Sequence, residues 1–301
     1  MTFFAVVTEK DQKEKKDGQP YLNMELADKS GKLNTKVWDD VESISGMFKI
    51  GDVVKAMGPM GEYRGKPQFT VKKVRLATPD EIEKGDYIQC SDRPIAEMRV
   101  DLEHFVSRIE TPMVQTVVRN ILKDPAIADK LDGAAAAMKV HHATAGGLLE
   151  HVCSLLGLAT KVCEHYATLD RDMLYAICIL HDICKCVELD VTMKISYSTE
   201  GQLLGHVAMG YHLFNKHCDA IDDFPHEIRM RVGHMILSHH GNLEHGALKV
   251  PAFPEAMVFH ALDAMDANME MMKRALLETG PSEEFSPWVP YLSAQVYKGG
   301  S

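Results

Sequence analysis

The sequence predicts two domains of different class, a small all-β barrel followed by an all-α domain. Three observations predict this division. Short β-rich runs separated by glycine-centred turns fill residues 1–77, whereas apolar residues recur every three or four positions from Ile95 onward. Residues 1–77 carry 14 Lys and Arg against 11 Asp and Glu, although the whole chain has a net charge of −10. All 15 histidines lie between His104 and His260, so we expect two segments with different chemistry.

Residues 1–77 are predicted to form five short strands. "KDGQP" and "DKSGK" are turn sequences, and "YLNMELA" and "LNTKVW" alternate apolar with polar residues. Five strands in so short a segment are typical of a small closed barrel of the OB type. A generic β-sandwich is the alternative.

The remainder of the chain divides into three predicted segments. Residues 78–94 are polar, carry prolines at both ends, and are predicted to be a linker. Residues 95–280 have helical periodicity throughout and are predicted to be all-α. Residues 281–301 contain three prolines and are predicted to be an irregular tail.

The bulk composition limits the classes of protein to consider. A hydrophobic content of 46% and a charged content of 25% are ordinary for a soluble globular protein. No apolar run approaches the roughly 18 residues that a membrane span needs, so we expect no membrane partner. The first residues lack the features of a signal peptide, which predicts a cytoplasmic location. The seven cysteines lie mostly in apolar helical stretches, which favours buried thiols over disulfides.

Polar residues interrupt the apolar pattern of five predicted helices. They are His151, His181, Asp182, His206, His239, His240 and Asp263. An unpaired imidazole or carboxylate is costly to bury, and five helices are not expected to carry that cost independently. Convergence on metal ions would offset the cost, and imidazole with carboxylate suits Mn, Fe, Co, Ni or Zn.

The order H…HD…H…HH…D resembles that of the two-metal HD-domain phosphohydrolases. The phrases "HHATAGGLLEHV", "LHDICK", "EGQLLGHVAMG" and "ILSHHGNLEHG" resemble the YhaM-type 3′–5′ exoribonucleases, which also carry an OB-fold ahead of the HD domain. The resemblance implies a first metal subsite and a second one that share Asp182 as a bridge. Its first subsite would use His151, His181, Asp182 and Asp263, and its second Asp182, His206, His239 and His240. The implied cofactors are two divalent transition metal ions, foremost Mn²⁺, with Fe, Co or Ni as alternatives.

The resemblance also implies an activity. It is metal-dependent 3′–5′ exonuclease hydrolysis of single-stranded RNA, with DNA left open as a further substrate, and with release of nucleoside 5′-monophosphates. Asp182 and Lys185 are the candidate catalytic residues, and the place of Lys185 three residues after Asp182 favours a phosphate contact over a surface role. The sequence is compatible with a homo-oligomer.

Two other functions stay open. One is an HD-type nucleotide or cyclic-nucleotide phosphohydrolase. The other is a non-catalytic, metal-containing nucleic-acid-binding protein, because Cys184 stands where the family has the glycine of HDIGK. We expect this cysteine to be a buried thiol in the space of the glycine.

Several residues are candidate contacts to single-stranded RNA or DNA through backbone charge and base stacking. In the β domain they are Lys36, Trp38, Tyr63, Arg64, Lys66 and Phe69, and a core position is the alternative for each aromatic ring. His141 and His142 are candidates for the substrate cleft, with a capping or surface role as the alternative. Asp266 is the alternative to Asp263 as the last metal ligand.

Overall fold

The computed structural model of the protein describes residues 1–15, 17–63, 66–83, 86–138, 143–281 and 283–299. The chain forms two compact units. The first consists of Met1–Cys90 with Val191–Ile195, and the second of Ser91–Asp190 with Ser196–Ser301. Each unit is described by itself.

The first unit is built on a seven-stranded sheet in the order β5-β6-β3-β2-β1-β4-β7. Its strands are β1 (Thr2–Glu14), β2 (Pro20–Asp28), β3 (Gly31–Val37), β4 (Val53–Met57), β5 (Met60–Tyr63), β6 (Lys66–Thr70) and β7 (Lys73–Leu76). A short helix, α1 (Val41–Met47), connects β3 to β4.

The sheet closes because β6 and β7 are almost one continuous strand. β6 pairs in parallel with β3, and β7 pairs antiparallel with β4. Between them, Val71 N donates to Lys36 O (2.9 Å) and Lys72 N donates to Met57 O (2.8 Å). One segment thus joins both edges of the sheet, and the predicted small β-barrel is confirmed.

The barrel differs from the expected five strands in two respects. The last predicted strand is divided at Val71 and Lys72, and β5 adds a hairpin with β6. Helix α1 was not predicted, because its seven residues are too few to display a helical period. The barrel core follows the alternation of β2, in which Leu22, Met24 and Leu26 are buried.

The predicted linker, residues 78–94, is divided between the units, and its described part up to Cys90 belongs to the barrel unit. Tyr87 is buried against Val6, Ala27 and Val53. Arg75 makes a bidentate ion pair with Glu81, with both N–O distances at 2.7 Å. The two units divide between Cys90 and Ser91, inside the segment predicted to be a linker.

The second unit is helical, so the predicted all-α class is confirmed. Its helices are α2 (Ile95–Ser107), α3 (Pro112–Lys123), α4 (Pro125–Ala128), α5 (Gly147–His165), α6 (Arg171–Leu180), α7 (Lys185–Glu188), α8 (Thr199–Asp219), α9 (His226–Ser238) and α10 (Pro254–Leu277). Between α7 and α8 the chain forms a two-stranded hairpin, β8 (Leu189–Val191) with β9 (Ile195–Tyr197), which was not predicted and whose tip, Val191–Ile195, belongs to the first unit. Along the described parts of the chain, helices fall short of the length and apolar character that a membrane crossing requires.

Helix α6 is the central element of this unit. From Asp172 to Leu180 every residue is buried, so the helix has no polar face. Helix α6 ends at Leu180 and a turn leads into α7, so the apolar stretch up to Leu189 is not one continuous helix. The described part of the tail beyond residue 280 contains a 3₁₀ turn at Pro290–Leu292 and two isolated β-bridges.

Candidate metal centre

The seven histidines and aspartates singled out in the sequence lie together in the second unit. Helix α5 carries His151, the turn after α6 carries His181 and Asp182, and α8 carries His206. His239 and His240 follow the last turn of α9, and α10 carries Asp263. The helical spacing of the sequence thus brings together side chains that are more than one hundred residues apart.

Four of these side chains form the first group. His151 Nε2 lies 3.2 Å from Asp263 Oδ1. His181 Nε2 lies 3.3 Å from Asp182 Oδ2 and 3.9 Å from Asp263 Oδ1. The histidine rings and Asp182 are buried, so their donor atoms face one small interior space.

The second group meets the first at Asp182. The other oxygen of this carboxylate, Oδ1, lies 3.1 Å from His206 Nε2 and 3.7 Å from His239 Nε2. The ring of His240 lies 4.2 Å from that of His239 and 5.4 Å from that of His206, between centroids. Each oxygen of Asp182 therefore faces a different group, an arrangement that would allow this carboxylate to bridge two ions.

The donor set fits divalent metal ions. Among the described residues, several buried atoms of the two groups have no aligned hydrogen-bond partner, although His206 Nε2 is close to Asp182 Oδ1. They are His181 Nε2, Asp182 Oδ1, His206 Nε2, His239 Nε2 and His240 Nδ1. A buried polar atom without a partner costs about 1–3 kcal/mol, so a cluster of such atoms is unfavourable unless a ligand occupies the space between them. Coordination of metal ions by these nitrogens and oxygens would remove that cost.

Main-chain carbonyls orient two of the rings. His181 Nδ1 lies 3.2 Å from both Ile177 O and Cys178 O, and His239 Nδ1 lies 2.7 Å from Ile236 O. Because a carbonyl only accepts, Nδ1 carries the hydrogen in both rings. Their Nε2 atoms then carry the lone pair and face the interior space between the two groups, where a metal ion could bind.

Carboxylates orient two other rings. Asp266 Oδ2 lies 2.7 Å from His151 Nδ1, and Ser154 donates a short hydrogen bond to the same carboxylate. Glu188 Oε1 lies 2.9 Å from His206 Nδ1. Both carboxylates contact Nδ1, the ring nitrogen that points away from the interior space.

This geometry separates the two aspartates of α10 that the sequence left as alternatives. Asp263 faces His151 Nε2 on the metal side of the ring, whereas Asp266 holds Nδ1 behind it. We therefore retain Asp263 as the proposed ligand.

Burial and neighbouring charges shift the pKa values of several residues of the centre. Burial opposes ionisation of Asp182, but Lys185, His181 and His206 outweigh it and hold its pKa well below the ordinary value. Burial likewise opposes protonation of His151, but Asp263 and Asp266 raise the pKa of this imidazole to about 9. Burial lowers the pKa of His239 well below its ordinary value, so this ring is neutral at pH 7.

Lys185 and Cys184 flank the shared aspartate. Lys185 Nζ lies 2.6 Å from Asp182 Oδ2 and is almost buried. Burial alone would lower the pKa of Lys185, but Asp182 raises it, so the ammonium is a fixed positive charge. Cys184 is buried in the apolar core, where desolvation raises the pKa of its thiol to about 12. Its environment is that of a packing residue.

The loop after α9 is held by α10. His260 Nδ1 lies 2.9 Å from His239 O, which fixes the main chain at the first histidine of the pair. Gly241 follows with φ of 84°, and a Cβ there would lie 2.1 Å from the ring of His260. Only glycine fits this close approach, which sets the positions of His239 and His240.

The nucleic-acid candidates of the β domain have different environments. Trp38 stacks on Tyr21 with ring centroids 4.9 Å apart, and Tyr63 is exposed. Lys36 Nζ lies 5.4 Å from the ring centroid of Tyr21. Phe69 is fully buried, so the prediction of a stacking surface at this ring is wrong and it is a core residue.

Four further candidates lie wholly or partly outside the described residues. They are Arg64, His141, His142 and the side chain of Lys66. Sequence reasoning missed Tyr21, Glu188 and the role of His260. The signal for Tyr21 was its register, since it lies beside the Leu22–Val37 pair that neighbours Trp38.

Family models match both units. The HD domain model matches residues 148–268, and the model described as OB-fold nucleic acid binding domain matches residues 1–77. A solved structure of the second OB-fold domain of replication protein A from Methanococcus maripaludis matches 27% of this chain and 86% of its own at 20% identity and a TM-score of 0.21.

Curated relatives match most of the chain. The 3′–5′ exoribonuclease YhaM of Listeria welshimeri is 34% identical over 268 residues, which cover 89% of this chain and 85% of the relative. The protein of the same name from Bacillus subtilis strain 168 is 35% identical over 268 residues, which cover 89% and 84%. The resemblance predicted from the histidine motifs is therefore confirmed, and the chain belongs to the YhaM family of OB-fold and HD-domain proteins.

Proposed function

We propose that the chain is a metal-dependent 3′–5′ exoribonuclease that acts on single-stranded RNA. Relatives named for this activity match nearly nine-tenths of the chain, and an HD domain model matches its helical unit. The observation that carries the proposal is the pair of histidine groups sharing Asp182, whose two oxygens face opposite groups. Single-stranded DNA as a second substrate and nucleoside 5′-monophosphates as products complete the proposal.

The distances within the two groups support a proposed set of metal ligands. His151, His181 and Asp263 would hold the first ion, with Asp182 Oδ2. The second ion would be held by Asp182 Oδ1 and the ligands His206, His239 and His240. When bound, two divalent ions supply the Lewis acidity and the activated water that phosphodiester hydrolysis needs. Mn²⁺ is the proposed metal, with Fe, Co and Ni as alternatives.

Lys185 contributes a charge that does not depend on metal binding. Its almost buried ammonium lies 2.6 Å from Asp182 Oδ2, the carboxylate that both groups share. A positive charge so placed stabilises negative charge that grows on the oxygens of a phosphoryl group. We propose that Lys185 contacts the phosphate under attack and also holds Asp182 in place.

The barrel offers a surface for the single strand. Tyr21 and Trp38 stack at 28° between ring planes, and Lys15 Nζ lies 5.5 Å from the ring centroid of Trp38. Lys36 lies similarly over Tyr21. Half-buried aromatic rings beside lysines suit base stacking and phosphate attraction without sequence preference. We propose that this aromatic platform, formed by Lys15, Tyr21, Lys36 and Trp38, captures RNA.

The test is hydrolysis of 5′-labelled single-stranded RNA and DNA by the purified full chain with Mn²⁺, Mg²⁺, Co²⁺ or EDTA. We expect a ladder of labelled products shortened from the 3′ end, nucleoside monophosphates on chromatography, and no reaction with EDTA. Hydrolysis of mononucleotides or cyclic nucleotides, with oligonucleotides left intact, would favour the alternative phosphohydrolase. Two bound ions without turnover on any of these substrates would favour a non-catalytic binding protein.

Two other expectations stay predictions of the sequence. They are a cytoplasmic location and assembly into a homo-oligomer.

A further inference from the structure

Glu188 holds His206 at two points with a single oxygen. Glu188 is the last residue of α7, and its carboxylate is buried. Its Oε1 accepts a hydrogen bond from the main-chain N–H of His206 and another from His206 Nδ1, both at 2.9 Å. The carboxylate therefore fixes the backbone and the ring of the same residue.

A break in α8 allows this double contact. Gly205 has φ of 73° and ψ of 151°, far from helical values, and it interrupts the helix directly before His206. The main chain leaves the helical path there, and the His206 N–H points at Glu188. A non-glycine residue would be strained at this φ.

The position of Glu188 is itself fixed by the first turn of α8. Ser198 N donates to Glu188 O (2.9 Å), and Ser198 Oγ donates to Val187 O (2.8 Å). The same hydroxyl accepts from Gly201 N at 2.9 Å and caps α8. Helices α7 and α8 are thus joined at the main chain on one side of Glu188 and at its carboxylate on the other.

The contact selects the tautomer of His206. A carboxylate oxygen accepts hydrogen bonds, so Nδ1 carries the hydrogen and Nε2 carries the lone pair. Nε2 is the atom that lies 3.1 Å from Asp182 Oδ1, and His206 forms with His239 and His240 a group in which one ligand atom of each residue lies within 4.8 Å of the others. A carboxylate behind an imidazole also makes the ring a stronger metal ligand.

The first group contains the same arrangement on different elements. Asp266 Oδ2 lies 2.7 Å from His151 Nδ1, while His151 Nε2 faces Asp263. The other two rings with assigned orientation, His181 and His239, rest on main-chain carbonyls. Each group therefore contains one histidine backed by a carboxylate.

We propose that Glu188 is a positioning residue for the second metal subsite and that Asp266 has the same role for the first. The inference rests on the proposed two-metal centre. Its distinctive consequence is selectivity, because each carboxylate contacts a histidine of only one group. Loss of Glu188 should therefore weaken one ion and leave the other, and loss of Asp266 should do the reverse.

The experiment is titration of the metal-free full chain with Mn²⁺ by calorimetry, with bound metal measured by elemental analysis. The parent should show two binding events. Glu188→Ala should weaken one event about 10–100-fold and leave the other unchanged. Glu188→Gln keeps the size and an acceptor oxygen but not the charge, so the same event should weaken less.

Asp266→Asn is the matched variant, and it should weaken the other event. Thermal melts of the metal-free proteins separate misfolding from a metal effect, and Glu188→Gln decides the question if Glu188→Ala does not fold. Equal weakening of both events, or a folded Glu188→Gln that binds both ions as the parent does, would overturn the inference. A parent that binds fewer than two ions would instead contradict the proposed metal centre.

Discussion

Asp182 Oδ1 lies 3.1 Å from His206 Nε2, while the other oxygen of the same carboxylate faces the opposite group of proposed ligands. One side chain thus belongs to both proposed subsites. The other proposed ligands belong to one subsite each, so we expect replacement of Asp182 to have the largest effect on metal binding.

Asp182→Ala should abolish hydrolysis and reduce both bound ions, because it removes one ligand from each subsite. Elemental analysis and an RNA cleavage assay measure the two effects. The helical fold should be largely retained but with a lower melting temperature, because the variant leaves the buried ammonium of Lys185 without its partner. His206→Ala is the matched variant and should deplete chiefly one ion. An unchanged metal content in Asp182→Ala would remove this residue from the centre.

Trp38→Ala should weaken binding of single-stranded RNA more than it weakens the fold. Stacking of a base on an aromatic ring contributes about 1–3 kcal/mol, which is roughly a 5- to 150-fold change in affinity. Trp38→Phe keeps a ring and should restore part of the affinity. Fluorescence anisotropy with labelled RNA at several salt concentrations measures these changes, and binding should weaken as salt rises.

Phe69→Ala provides the contrast for this experiment. Its ring is fully buried and meets Phe3 edge to face at 4.9 Å, so truncation should cost about 3–5 kcal/mol of stability. A lower melting temperature is the expected result. If Phe69→Ala left stability intact and impaired only RNA binding, the assignment of this ring to the core would fail.

Cys184→Ser should retain metal content and turnover comparable to the parent, because the thiol is a packing group. Burial raises its pKa to about 12, so it stays protonated and unreactive near neutral pH. In the native protein a thiol reagent should modify exposed Cys90 and spare Cys184. Rapid modification of Cys184, or loss of metal in both Cys184→Ser and Cys184→Gly, would show that the thiol has a chemical role.

Gly241→Ala should lower both stability and metal affinity. The new Cβ would overlap the ring of His260, and the positive φ adds strain of about 1–3 kcal/mol. The displaced loop carries His239 and His240, so metal titration should report a weakened subsite. Gly157→Ala is the control, because that exposed glycine on α5 has open space around it and helix propensity favours alanine. Equal stability and equal metal affinity of the two variants would contradict the expected overlap between a Cβ at position 241 and the ring of His260.

The sequence predicted two kinds of feature well: helices with a regular apolar period, and polar residues that are costly to bury. Apolar spacing predicted the helical class, and polar residues that interrupt it, such as His181 and Asp182, pointed to a shared interior space. Such a residue is costly to bury wherever its partners lie, so the sequence carries the signal even before the fold is known.

The remaining features depend on tertiary contacts that local patterns do not encode. Alternation along β6 shows that Phe69 and its neighbours face opposite sides, but not which side is the barrel core. Trp38 stacks on Tyr21, which precedes it by 17 residues and lies on the neighbouring strand. The role of Glu188 depends on a helix break at Gly205, and an isolated glycine in a helical pattern does not by itself announce a break.

The buried ring of Tyr87 makes the segment after residue 77 part of the folded barrel. The family model ends at residue 77, yet the ring of Tyr87 covers Val6, Ala27 and Val53. Burying such a side chain contributes about 1.5–3 kcal/mol, a large part of the margin of a small domain. A graft or gene fusion that ends at the motif boundary would uncover this apolar patch. The transferable module therefore extends at least to Cys90, and shuffling of this barrel between proteins must carry the following segment with it.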